Sequence, residues 1–153
     1  MLNSRNYALG FAERTRKNLE HIEEASGAGL DVHVVTQLAN SLLGLIVVPW
    51  ERDFARGVAD LQLEDLVTLG WPRWEIRRGY CHTLGQLVRC LRNAAAHGHM
   101  HFSSESRILN EVFIEVSDFR PQSNEPYWTA CIGGPELRDF CLRFIDLIDQ
   151  RLG

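Results

Sequence analysis

Nine residues, Leu91 to His99, read LRNAAAHGH. A guanidinium, a carboxamide and an imidazole stand within this short run, separated by the smallest side chains that still favour a helix. These groups suit proton transfer beside a fixed positive charge. Imidazole exchanges protons near neutral pH, and arginine stays charged throughout.

On a helix Asn93 and His97 are an i, i+4 pair about 40° apart. The carboxamide can therefore hydrogen-bond an imidazole nitrogen and set its tautomer. Arg92 lies roughly 140° from His97 on the same ideal helix. Those two converge only through long reach, a distorted last turn or a second subunit. Gly98 suits a left-handed cap, which puts His97 in the last turn, where the negative end of the helix dipole favours an imidazolium. The alanines leave room for another helix or a nucleic-acid strand to approach closely.

The helix carrying these groups is predicted from about Tyr80 to His97. Leu84, Leu87, Val88, Leu91 and Ala95 make its apolar face, and His82, Gln86, Arg89, Asn93 and His97 an opposing polar stripe. By pattern alone such a stripe most often reads as a solvated face.

Other elements must hold that helix in place. Tyr7, Phe11, Leu19 and Ile22 predict a first helix ending at the Ser26, Gly27, Gly29 cluster. Asp31 is a plausible N-cap for a second helix carrying Val35, Leu38, Leu42, Leu45 and Ile46, stopped by Pro49. The flanking Val34, Leu43 and Val47 suggest that it is buried on more than one side. Glu51 to Gly79 is weakly periodic and reads as a long connection, with a short helix around Leu61 to Leu69 and a tryptophan-rich turn, GWPRW. EVFIEVSDF alternates, YWTACIG is rich in β-branched and aromatic residues, and RPQSNEP between them is turn-prone, which predicts a hairpin. Gly134 and Pro135 then open a last helix with Leu137, Phe140, Cys141, Phe144 and Ile148 on its apolar side. The expected fold is mainly α: an antiparallel bundle of four to five helices with a small β-hairpin inserted before the last helix, in a single domain over residues 1–153.

With 45% hydrophobic and 24% charged residues in a chain of 153, an ordinary globular protein is expected and disorder is disfavoured. The net charge of −4 argues against a protein that coats nucleic acid, while brief contact with RNA remains compatible. The longest apolar stretch, Leu42 to Trp50, is shorter than the roughly 20 residues of a membrane span, and the N-terminus lacks the apolar run of a signal peptide. A cytoplasmic protein without membrane contact is the expectation. Cys81, Cys90, Cys131 and Cys141 contain no CxxC pair. Cys81 and Cys90 would fall on opposite faces of the predicted helix, unable to bridge or share a metal, so buried, reduced thiols are expected.

The set of Arg92, Asn93, intervening alanines and His97 resembles the signature of the HEPN superfamily (higher eukaryotes and prokaryotes nucleotide-binding). In that signature an arginine, often followed by a polar residue such as asparagine, precedes a histidine by several positions. The surroundings resemble it too: an apolar second helix ending near PWER, the motif at the end of the third as RNAAAHGH, a short hairpin and a final helix. The likeness is greatest to a bacterial branch with an RN..AHGH motif, the plasmid-encoded p136 type. It implies a metal-independent endoribonuclease, needing no cofactor, whose site forms where two motif helices meet across a homodimer. Toxin and antitoxin pairs, defence against phage and RNA processing are the settings implied, with RNA and an antitoxin or neighbouring-gene product as partners.

RNA carries its own nucleophile, the 2′-hydroxyl, so that activity needs a base, an acid and positive charge on the phosphate. Arg92, Asn93 and His97 are the implied catalytic residues: Arg92 as a bidentate phosphate clamp, His97 as base or acid, and Asn93 as its orienter or as a further phosphate contact. Arg89 and His99 are substrate-binding candidates. Two alternatives stand beside this reading. HGHMH alternates His97, His99 and His101 as metal ligands sometimes do on a strand, although Gly98 should end the helix there. A non-catalytic HEPN module that binds a nucleotide or a partner is the other.

Overall fold

The computed structural model describes residues 3–153, apart from the side chains of Ser4 and Asp53. The chain is mainly α with a small antiparallel sheet. Helix α1 spans Ser4–Gly27 and α2 Val34–Val47. The α2 N-cap is His33 rather than Asp31, with its ring nitrogen accepting the Thr36 N–H at 3.2 Å. The helix begins two residues later than the Asp31 pattern implies.

Pro49 ends α2 without turning the chain away. Its fixed φ, here −64°, is already helical, and the ring removes only one N–H. The chain continues as a π-helical turn, Trp50–Phe54, into the one-turn α3, Ala55–Val58. The combined run Val34–Arg52 reaches 19 residues at a mean hydropathy of 1.3, long and apolar enough to cross a membrane by composition, whereas Leu42 to Trp50 alone was too short. Its apolar side is spent internally: Val34, Val35, Leu38, Leu42, Leu45 and Ile46 are buried against α1 and α6. Val47, expected to add a second buried side, is exposed.

Helix α4, Leu63–Thr68, matches the short helix expected there. The tryptophan turn after it is no loose connection, because Trp71 and Trp74 are buried edge-on against Phe140, at 5.5 and 5.7 Å between ring centres. It leads into strand β1, Glu75–Arg78, in a region read from sequence as a long, partly structured connection. Helix α5, Leu84–Ala96, carries the motif, and β2, Met100–Phe102, follows it. A single 3₁₀ turn, Leu109–Glu111, precedes β3, Phe113–Phe119, and β4, Pro126–Gly133. Helix α6, Gly134–Leu152, closes the chain with every residue of its expected apolar face buried.

The predicted hairpin is β3–β4, but it is the centre of a four-stranded sheet in the order β1-β4-β3-β2 rather than an isolated insertion. Both edge strands are short, and β1, EIRR, has one apolar residue. Its pairing with β4 comes from backbone hydrogen bonds, and Arg77 reaches past β4 to an ion pair with Glu115 of β3 at 3.2 Å; neither leaves a hydrophobic pattern. Helices α1, α2 and α6 pack on one another, and α5 is held between α2 and β3.

Cys81 lies before α5, not on it, and folds back so that its thiol donates to Cys90 Sγ at 3.8 Å. The opposite-face expectation fails because the helix starts at Leu84. Both remain free thiols, and the contact raises the pKa of Cys81 while lowering that of Cys90.

Candidate active site

Both ends of α5 are tightly specified. Thr83 caps its start in a reciprocal box: the Thr83 hydroxyl accepts the Gln86 N–H at 3.2 Å while the Gln86 side chain accepts the Thr83 N–H at 3.4 Å. His97 is the C-cap, and Gly98 takes the left-handed φ of 72°. His99 N–H then reaches back to the Ala94 carbonyl at 2.8 Å, and Gly98 N–H to Ala95 at 3.2 Å, which completes a Schellman closure.

Leu84, Leu87, Val88 and Leu91 are fully buried. Exposing such a side chain costs about 1.5–3 kcal/mol, so these four lock the rotation of α5. Ala94 and Cys90 complete the buried face, while Ala95, expected there, is half-buried.

With that rotation set, the consecutive Arg92 and Asn93 diverge by about 100° and reach opposite neighbours. Arg92 Nη1 bonds Glu51 Oε1 in the π-helical turn. Asn93 Nδ2 donates to Asp118 Oδ2 on β3 at 3.2 Å. Asp118, 3% exposed, also accepts the Tyr127 hydroxyl from β4. Burial, and then that hydrogen bond, push the Tyr127 phenol above its ordinary pKa. One N–H of the Asn93 carboxamide is thus taken by Asp118, and the expected hydrogen bond to the His97 ring is replaced by a backbone one, His97 N–H to Asn93 O at 3.2 Å.

His97 itself is exposed at the end of α5. A groove of about 390 Å³ runs along the adjoining face, lined by Trp50, Val88, Arg89, Arg92 and Asn93, with Gly85 at its edge. A β-carbon on Gly85 would meet the Ala59 Cβ and carbonyl oxygen at 3.0 Å, so a side chain there must displace Ala59 by a few tenths of an ångström.

Matching over residues 1–152 is the family described as HEPN pEK499 p136. The chain belongs to this HEPN family. No curated protein and no solved structure matches it.

Within the HEPN chain, Arg89, Arg92 and Asn93 share the groove, and His97 follows one turn after Asn93. His99 does not share it. Its ring is half-buried and packs edge-on against Phe119 at 4.4 Å, as part of the turn into β2. The HGHMH residues separate in the same way: the rings of His97 and His99 are 6.4 Å apart, and His101 lies in β2 opposite Glu115. Among the described residues no three His, Cys, Asp or Glu side chains gather as a metal site would require.

Ala94 is fully buried within its own chain, so it cannot face a second subunit, whereas Ala96 is exposed. Sequence reasoning missed Glu51, Asp118 and Tyr127. Asp118 did carry a signal: it continues the inward alternation of Ile114 and Val116, and a carboxylate on that register needs a buried partner. Glu51 carried none, because its meeting with Arg92 depends on the path of the π-helical turn.

Proposed function

We propose that this HEPN chain is a metal-independent endoribonuclease acting as a homodimer, cytoplasmic, with a toxin or defence role and an antitoxin or neighbouring-gene product as its regulator. The observation that carries the reading is the shared groove: Arg89, Arg92 and Asn93 open onto one cavity, with the exposed His97 a turn away. Arg92 binds the scissile phosphate and balances the charge that develops on its oxygens. One His97 removes the 2′-hydroxyl proton as that oxygen bonds to phosphorus. The bond from phosphorus to the 5′-oxygen breaks, and the leaving oxygen takes a proton from the second His97, supplied by the partner copy. The products are a 2′,3′-cyclic phosphate and a 5′-hydroxyl. Asn93, held by Asp118 rather than by His97, contacts the phosphate instead of setting the imidazole tautomer.

The test is incubation of wild type and His97→Ala with total RNA in EDTA. Cleavage by wild type alone is expected, with 2′,3′-cyclic phosphate ends; equal outcomes for the two proteins would remove the catalytic assignment. A second reading, a non-catalytic HEPN module that binds a nucleotide or a partner, draws on the Arg92–Glu51 pair, which occupies the guanidinium in the free chain. It would be favoured by tight nucleotide binding without cleavage of any RNA tried.

A further inference from the structure

A second cavity, about 310 Å³, opens between the start of α5 and the end of the β3–β4 hairpin. Arg89 lines both it and the motif groove. Tyr80, Gln86 and Arg120 form its exposed rim, and Trp128, 1% exposed, its floor.

Arg89 and Arg120 have no carboxylate partner among the described residues, a state shared with Arg14, Arg52, Arg56 and Arg151, but these two line one cavity. The Arg120 guanidinium lies over the Tyr127 ring, 5.7 Å from its centre, which holds it in place without neutralising it. Tyr80 is 74% exposed, a large apolar ring turned to solvent with the His82 ring beside it, 5.2 Å between ring centres. The indole N–H of Trp128 is buried beside the Cys81 thiol.

In a chain of net charge −4, two uncompensated guanidiniums mark a place for an anion, and their planar forks suit phosphate. An exposed aromatic ring beside them offers a stacking face that accepts any base. An acidic peptide would meet the cations but leave Tyr80 unused. Because Arg89 belongs to both cavities, the second adjoins the motif groove at that side chain.

We propose that this cavity is a subsite for the unpaired RNA nucleotide next to the cleaved linkage, with a phosphate between Arg89 and Arg120 and a base stacked on Tyr80. The proposal rests on the endoribonuclease reading and extends it to the residues that hold the neighbouring nucleotide.

His97→Ala protein, titrated in EDTA with a short fluorescein-labelled single-stranded RNA, tests it. Adding Tyr80→Ala should weaken binding on the order of tenfold, and Tyr80→Phe should restore it. Adding Arg120→Ala should lower the slope of log affinity against log salt by about 0.7. Both side chains are exposed, so thermal melting should stay at the parent value. Parent-like affinity and salt slope in both variants would overturn the subsite while leaving cleavage by the wild type intact. Should the His97→Ala parent bind no RNA and the wild type cut none, the subsite and the endoribonuclease reading fall together. Displacement of the oligonucleotide by adenosine monophosphate at equal concentration would also overturn the strand subsite, in favour of a mononucleotide site.

Discussion

Asn93 donates to Asp118 across 3.2 Å, tying the motif helix to a strand residue 25 positions further along the chain. The same carboxylate oxygen accepts the Tyr127 hydroxyl. A buried carboxylate is costly unless donors meet it, and here each donor gains a fixed direction in return.

Asp118→Ala leaves the Asn93 amide and the Tyr127 hydroxyl without their acceptor and should cost about 1–3 kcal/mol in urea unfolding. Asp118→Asn keeps the shape and one acceptor, so it should retain most of the stability while slowing RNA cleavage through a misdirected Asn93. A wild-type rate in Asp118→Asn would limit Asp118 to a structural role.

Glu51→Ala should change stability by less than about 1 kcal/mol, because its pair with Arg92 is largely exposed. Cleavage should fall, since Arg92 loses the contact that aims it. Tighter RNA binding and faster cleavage in this variant would mean instead that Glu51 merely competes with phosphate for the guanidinium.

Arg92→Ala and His97→Ala should abolish cleavage and leave folding intact, as neither side chain is part of the buried face of α5. A stability loss beyond about 2 kcal/mol in either, the scale of damage to a core or buried network, would point to a structural role.

Arg92 and His97 diverge on one helix, and a two-fold axis would bring Arg92 of one chain toward His97 of the other. With Ala94 buried, close approach of the copies falls to Ala96 and its neighbours. Ala96→Arg should yield monomers in analytical ultracentrifugation and lose cleavage. Mixed Arg92→Ala and His97→Ala chains should recover some activity once subunits exchange. Active monomers would defeat the shared site.

Cys141 is fully buried, and burial pushes its thiol up to about 12 from an ordinary 9. Between those values the unfolded chain releases this proton and the folded chain keeps it, so stability falls as pH rises. By pH 12 the loss from this one group approaches about 4 kcal/mol. Urea midpoints of Cys141→Ala should decline less steeply above pH 9 than those of wild type; parallel declines would contradict the burial effect.

The sequence alone determined the elements whose pattern is local. The apolar periods of α5 and α6 are legible because each turn of a buried helix repeats the same demand. From Leu84, Leu87, Val88 and Leu91 it follows that Arg92, Asn93 and His97 stand off the core, and the alternation of β3 and β4 marked the hairpin. Only tertiary structure decided what these residues meet. Glu51 reaches Arg92 because the chain continues through Pro49 as a π-helical turn, Asp118 reaches Asn93 because β3 packs on α5, and Cys81 reaches Cys90 because the helix starts late. The edge strands β1 and β2 were illegible for the same reason. Their pairing is carried by backbone groups that every residue possesses, and no side-chain period records which distant strand completes them.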